Sequence, residues 1–500
     1  MRTTATLALL ALLASIGASQ EHEAAVWKWD IIAFEAHAKN HRAPFVSEFW
    51  TFDGSLYLNV NYVDGHEFGR YVDDKLERIP FPASAGLDPS VEVMLDIGGN
   101  AFIATVSSDK DAVIRSAFLL KADKLSEIEF VGDLFLAETL TMLSAAPVPV
   151  FAAKGRRANY VYVLNTKEQK LVQVTMPDGK AANFSRHSLL QDASGRWIGA
   201  SVEEGAEFHT QYVLMGTAFE AIPAPLFPDG AKKSSYQRRF ANDGALACCT
   251  VDDKWHFWFE RDGKREEVLD AAGKKLEFER PFLQSAGGHL YLYGSRPEPG
   301  AYLIQGGKPA SPLRMPKGET LKAPSISTHA GVAFLWNLES DYDVCGAPYR
   351  LEGDDCQRLL NQPGAMISSR ITRIGDCWVT AGHKVDDGYE VCLVRDGEVT
   401  RLSMPPGLYP LTGLAVDEPW RPSIVGDTVF ICLEDGGRNN YVLCRQEGSK
   451  LVPVQVPGWE DQTQRAVKSR WLKVSAIGDT LYVRESAGAP ATMRRFQQRR

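Results

Sequence analysis

A short phrase built around one glycine keeps returning along the chain, as "RIGDCWV" at 373–379, "IVGDTVF" at 424–430 and "AIGDTLYV" at 476–483. Aligned on that glycine, copies fall at Gly54, Gly99, Gly195, Gly244, Gly288, Gly331, Gly375, Gly426 and Gly478, and a further copy in "AAPVPVFAAKG" carries Pro147 in its place. Ten copies at a mean spacing of about 47 residues describe one supersecondary unit written repeatedly. Such a unit cannot bury its apolar face alone and must stack on its neighbours. A glycine or proline near the start of each unit marks a turn.

Inside the unit the order is constant. A short run such as "WLKVSAIG" leads into the glycine, and an apolar, β-rich run such as "LYLNV", "AFIATV" or "TLYV" follows. After a polar loop comes a third run that often carries Tyr, as in "NYVYVLN" and "QYVLMG", then a tight turn and a fourth run closing on Pro, as in "LVQVTMPDG" and "LVPVQVPG". Four short runs rich in Val, Leu, Tyr and Phe, separated by turn residues, predict an antiparallel meander. Helical periodicity of comparable strength is confined to "DIIAFEAHAKNH" near the start.

This pattern resembles the β-propellers, whose four-stranded blades of 40–50 residues pack around a central axis. The resemblance implies an all-β fold of 8–10 blades in one ring, with two five-bladed propellers as the alternative. It names no family within the group, because the Gly-His/Trp-Asp signature of WD40 blades, the repeated double glycine of kelch blades and the Asp-box of sialidases are missing. "AVWKWDII" at 25–32 is placed to supply the outer strand of the last blade, which would tie both ends of the chain together and remove exposed sheet edges.

The start of the chain, "MRTTATLALLALLASIGASQEHE", orders one Arg, an apolar run and small residues as a secretory signal does. Residues 1–19 are therefore expected to be a signal peptide, residues 25–497 the propeller, and the mature protein secreted or periplasmic. The apolar run is shorter than a membrane-spanning helix requires, and no later run reaches that length. A formal charge of −8 argues against a nucleic-acid partner, which needs clustered Lys and Arg. The basic end, Arg494-Arg495 and Arg499-Arg500, reads as a solvated tail.

An exported chain can use its eight cysteines as disulfides. Cys377 with Cys392, and Cys432 with Cys444, flank hairpin turns almost symmetrically, which predicts cross-strand bridges. Cys345 with Cys356 would close a short loop, leaving Cys248-Cys249 as a vicinal bridge or as free thiols. Paired Cys-x-x-Cys or Cys/His spacings that would hold zinc are absent. Glu35, His37 and His41 have helical spacing for a metal, but they lack the Glu beside the first His that metalloproteases use. No metal or cofactor is expected.

In a meander the first-to-second and third-to-fourth turns share one face, and here they are short. The repeated glycine phrase is therefore expected to be scaffold. The other face carries longer connections with acidic and aromatic content: Asp252, Asp253, Trp255 and His256; Glu339, Asp341 and Asp343; Asp386 and Asp387; Glu434, Asp435 and Arg438; and Trp420 and Trp459. Binding residues concentrate on loops held by a rigid scaffold. Indole rings stack on the apolar faces of sugars while carboxylates accept hydroxyl hydrogen bonds. The same Asp and Asn residues also form ordinary turns, and Trp also packs between blades. The reading is a binding module for an extracellular glycan or protein, with a propeller glycoside hydrolase or polysaccharide lyase, and then a structural part of an envelope assembly, as alternatives. No nucleophile elbow, phosphate loop or dinucleotide fingerprint is present.

Overall fold

The fold is described from a computed structural model. It covers residues 27–32, 45–62, 65–85, 88–106, 114–132, 139–144, 148–154, 159–184, 189–192, 194–201, 209–241, 244–329, 332–338, 345–359, 367–368, 370–374, 376–384, 388–395, 398–410, 422–435, 441–454, 472–485 and 492–498. Their regular structure is 44 strands and one three-residue 3-10 turn. The strands form ten sheets, each built on a four-stranded antiparallel meander. First strands of successive blades contact one another, as between blades 5, 6 and 7 and between blades 10, 1 and 2, so the sheets radiate from a common axis. The protein is a ten-bladed β-propeller.

Blades 1 to 9 span residues 45–78, 90–127, 139–173, 189–221, 231–267, 282–312, 323–358, 370–402 and 408–453. Blade 10 takes three strands from residues 472–498, and Trp27–Ile31 pairs antiparallel along its last strand, Trp27 opposite Gln498 and Ile31 opposite Arg494. The N-terminal strand is thus the outer strand of the last blade, and the ring is closed by hydrogen bonds. Arg494 is buried and Arg495 pairs with Asp74 of blade 1, so this part of the basic end belongs to the closing seam instead of a solvated tail.

The second strand of each blade lies between two strands of its own sheet and between two neighbouring blades. It is therefore buried on both faces and mostly apolar, as in Leu56–Val60, Ala101–Thr105 and Ala333–Asn337, which are buried without alternation. Side chains from facing blades fill each seam. Phe102 of blade 2 meets Phe151 of blade 3 at 4.6 Å between ring centres. Between blades 6 and 7, Tyr291, Leu303, Ile326, Leu335 and Tyr349 form a dry layer. Each such fully buried side chain contributes roughly 1.5–3 kcal/mol.

The repeated phrase is the turn from first to second strand. Gly54, Gly99, Gly195, Gly288, Gly426 and Gly478 all have positive φ there, which L-residues with a Cβ rarely adopt. At Gly287, beside Gly288, a Cβ would stand 3.1 Å from the Cβ of Ala333 in blade 7, so blades meet closely at this turn.

The predicted disulfides are overturned by register. Cys248, Cys249, Cys356, Cys377, Cys392, Cys432 and Cys444 are buried and form no disulfide. Cys392 stands opposite Thr380, not Cys377, and Cys444 stands opposite Ile431, not Cys432. Side chains alternate across a sheet, so an odd offset sends the two thiols to opposite faces. Cys377 and Cys444 face the seam between blades 8 and 9, Cys392 faces blade 7, and Cys432 faces blade 10. Cys345 pairs with Ser368, whereas Cys356 pairs with Leu351, six residues further along the strand of Cys345. At about 3.3 Å per residue that is roughly 20 Å, far beyond a disulfide's reach. Cys248 and Cys249 are consecutive in one strand and face opposite seams.

Candidate functional site

The end of the ring that carries the second-to-third connections brings together charged side chains from three consecutive blades. Glu48 lies near the start of the first strand of blade 1, Lys473 near the start of the first strand of blade 10, and Arg484 near the end of the second strand of blade 10. Lys473 and Arg484 are opposite each other in register. Both reach across the seam to Glu48, Lys473 Nζ donating to Oε1 at 2.6 Å and Arg484 Nη1 to Oε2 at 3.1 Å. Arg484 Nε also donates to the Val46 carbonyl at 3.1 Å. The Lys473 ammonium sits 5.3 Å from the ring centres of both Phe49 and Trp50. A cation over two aromatic faces beside a carboxylate is held by electrostatics from two sides.

Local backbone irregularity sets this geometry. The first strands of blades 1 and 2 each carry a register shift, between Val46 and Glu48 and between Val91 and Val93. A bulge leaves one residue unpaired and re-aims its side chain. The residues so released are Ser47 and Glu92. Ser47 Oγ accepts from Nδ2 of the buried Asn59 at 2.9 Å and donates to the Asn59 carbonyl, and the same Nδ2 reaches Ser90 Oγ of blade 2 at 3.0 Å. Asn59 Oδ1 has no partner among the described residues.

Glu92 is exposed, yet its carboxyl is raised above the ordinary range, first by desolvation and then by the charge of Glu48. At the outer side of the cluster His66 Nδ1 lies 2.5 Å from Asn61 Oδ1, and the His66 backbone N–H donates to Asp88 Oδ1. Asn59 interrupts "LYLNV" and Glu92 interrupts "SVEVML", and a polar residue inside an apolar strand was the sequence signal that could have marked them.

The residues singled out from sequence are distributed around the ring. Asp252 and Asp253 form the two-residue second-to-third turn of blade 5, both with positive φ, the geometry that lets a tight hairpin follow the strand twist. Trp255 donates from Nε1 to the Glu279 carbonyl at 3.0 Å and packs into the core between blades 5 and 6. His256 stands opposite Cys249 on the other face of the same blade. Glu434 lies in the second strand of blade 9 opposite Tyr441, whose hydroxyl is raised by burial and by the Glu434 charge. Asp435 ends that strand. Blades 5 and 9 are not neighbours, so these two groups are not brought together. Glu339, Asp341, Asp343, Asp386, Asp387, Arg438, Trp420 and Trp459 lie outside the described residues, as do Glu35, His37 and His41. Among the described residues no three His, Cys, Asp or Glu side chains gather as a metal site, and no helix is long and apolar enough to cross a membrane.

No protein-family model matches this chain, and no curated protein matches it. Solved structures give distant likenesses. A crystal structure of a eukaryotic initiation factor is 12% identical over 80% of this chain and 94% of its own, with a TM-score of 0.40. Porphyromonas gingivalis dipeptidyl peptidase 4 is 9% identical over 71% of this chain and 58% of its own, with a TM-score of 0.37. A Mycobacterium tuberculosis puromycin-hydrolyzing peptidase is 11% identical over 67% and 61%, with a TM-score of 0.30. The chain thus spans about three fifths of the length of these peptidase structures. Likenesses this distant carry no argument about what the chain does, and the description of it that stands is its own architecture, a ten-bladed β-propeller.

Proposed function

We propose that this protein is an exported binding module that takes a glycan or an extracellular protein ligand at the loop-bearing mouth of its ring. The observation that carries this reading is the convergence of Glu48, Glu92, Lys473 and Arg484 from blades 10, 1 and 2 at one end of the axis. Donors, acceptors and the Trp50 ring stand together there on first and second strands, which cross-strand hydrogen bonds hold rigidly. Asp252, His256 and Glu434 extend the proposed surface around the same face. Export rests on the signal-like order of residues 1–19.

A second reading has its own support. Glu92, with its raised carboxyl, beside Glu48, whose charge two cations accompany, is the kind of unequal carboxylate pair that a glycoside hydrolase or a lyase employs. The two readings part in one experiment. The mature chain is screened on a glycan array, and each hit is incubated and analysed by mass spectrometry. Retention of intact glycan, lost in Glu48→Gln and Lys473→Ala, supports the binding module. Shortened products that disappear in Glu92→Gln support the enzyme. An array without hits removes both carbohydrate readings and leaves a protein ligand.

A further inference from the structure

Two consecutive arginines on the innermost strand of blade 5 are partnered differently. Arg238 stands opposite Ala247 and faces blade 4, whereas Arg239 stands opposite Leu246 and faces blade 6, because successive side chains leave a strand on opposite sides. On the first side Glu260 Oε2 meets the Arg238 guanidinium at 2.6 Å. On the second side no carboxylate is supplied among the described residues. The one hydrogen bond that Arg239 makes to them runs from Nη1 to the Arg238 carbonyl at 3.0 Å. Burial works against its charge, and the groups that act the other way are the Cys248 thiol and the Tyr293 hydroxyl. A guanidinium keeps its proton, so Arg239 is a half-buried cation with Nε and Nη2 left to donate.

We infer that this wall of the ring takes the carboxylate of an acidic sugar, a uronate residue of a glycan, on Arg239 with the sugar ring against Phe282. The inference rests on the glycan reading of the same mouth. Phe282 begins the first strand of blade 6, at the end of the ring that carries the second-to-third connections, and is 53% exposed. Its ring lies on that of Tyr293, with centres 5.5 Å apart and planes 20° apart, which fixes it and leaves its outer face open. Tyr293 joins the two halves of the site. Its ring carries Phe282, and its hydroxyl, raised by burial, is drawn the other way by the Ile326 backbone N–H, the Ser325 hydroxyl and the Arg239 charge.

The inner strands of this side do not oppose an anion. Residues 231–241, 282–286 and 323–329, the first strands of blades 5, 6 and 7, contain no Asp or Glu, whereas Glu48 and Glu92 stand on the first strands of blades 1 and 2. Asp252, Asp253 and Glu279 sit on connections at the rim, outside these strands. A uronate carries its charge and an apolar face on one ring, which matches a cation and an aromatic face on one stretch of wall.

Calorimetric titration of the full chain with trigalacturonate, its methyl ester and maltotriose tests this. Trigalacturonate is expected to saturate and to bind at least about tenfold more tightly than the uncharged ester or maltotriose. Arg239→Gln should abolish that preference without lowering the thermal midpoint, because it removes a charge that has no partner in the fold. Phe282→Ala should weaken acid and ester alike. The inference is overturned if trigalacturonate does not saturate up to roughly 20 mM, if the ester binds as tightly, or if Arg239→Gln keeps the preference or lowers the thermal midpoint. Its failure is separable from that of the mouth. Neutral glycans retained by the chain and lost in Glu48→Gln, with trigalacturonate silent, overturn this inference alone, whereas an array without glycan hits removes both.

Discussion

The seam between blades 4 and 5 and the seam between blades 6 and 7 are built from the same repeat and end differently. Between blades 6 and 7 the faces meet directly, Tyr291 and Leu335 are fully buried, and the Tyr291 hydroxyl donates to the Gly353 carbonyl across the joint at 3.1 Å. The connection that follows blade 6 stays at the edge, where Arg314 pairs with Asp354 and Asp355. Between blades 4 and 5 Ile198, Phe240 and Ala245 form a small buried apolar cluster across the joint among the described residues, and the connection at 222–230 runs into the seam, pinned by Arg238 and Glu260. Its sequence, "IPAPLFPDG", contains Pro223, Pro225 and Pro228, which bring no N–H to be satisfied. The Leu226 N–H is met by Glu260 and the Phe227 N–H by the Pro225 carbonyl at 3.1 Å. A blade face can therefore be packed by its neighbour or by a proline-rich connection.

The largest effect that separates the two seams should come from their polar pair. Glu260→Ala leaves the Arg238 charge buried without its carboxylate and should cost about 3–5 kcal/mol in urea unfolding. The double change Arg238→Met/Glu260→Leu should recover most of that loss. A single variant that loses less than about 1 kcal/mol would sink the view that this pair holds the seam. In the dry seam Leu335→Ala should cost about 2–5 kcal/mol through its cavity, with no second-site polar change able to restore it. Gly287→Ala, at φ +55 and against Ala333, should cost about 1–3 kcal/mol from backbone strain, whereas an alanine at Gly98, which has nothing within 4 Å, meets only its own φ. The smallest effect is kinetic and lies within one strand. Burial pushes both thiols of Cys248 and Cys249 up, Cys249 to about 11 and Cys248 further, because Cys249 faces the looser seam and has Arg265 to favour its thiolate. Under native alkylation at pH 8, mass spectrometry should find Cys249 modified before Cys248, and the reverse order would contradict the assigned difference between the two faces.

Repeat length, strand order and ring closure were legible because they depend on local pattern. The glycines of the described first turns take positive φ, and the second strand must be buried on both faces. Trp27–Ile31 shows strand character wherever it docks. The disulfides were misread because symmetry about a turn does not give register, and one residue of shift turns a facing pair into a back-to-back one, as at Cys432 and Cys444. Which end of the ring carries the second-to-third connections followed from the alternation of turns, but Glu48 lies more than 420 residues before Lys473 and Arg484 and meets them only when blade 10 closes on blade 1.

By itself the sequence determined the repeating unit, its four strands, its scaffold turns and the face left to connections, because each rests on the periodicity and turn chemistry of a few consecutive residues. Only the tertiary structure decided which thiols face which seam, that Arg238 and Glu260 carry a connection into the ring, and which charges converge at its mouth. Those outcomes depend on register and on ring closure, which no local stretch of chain encodes.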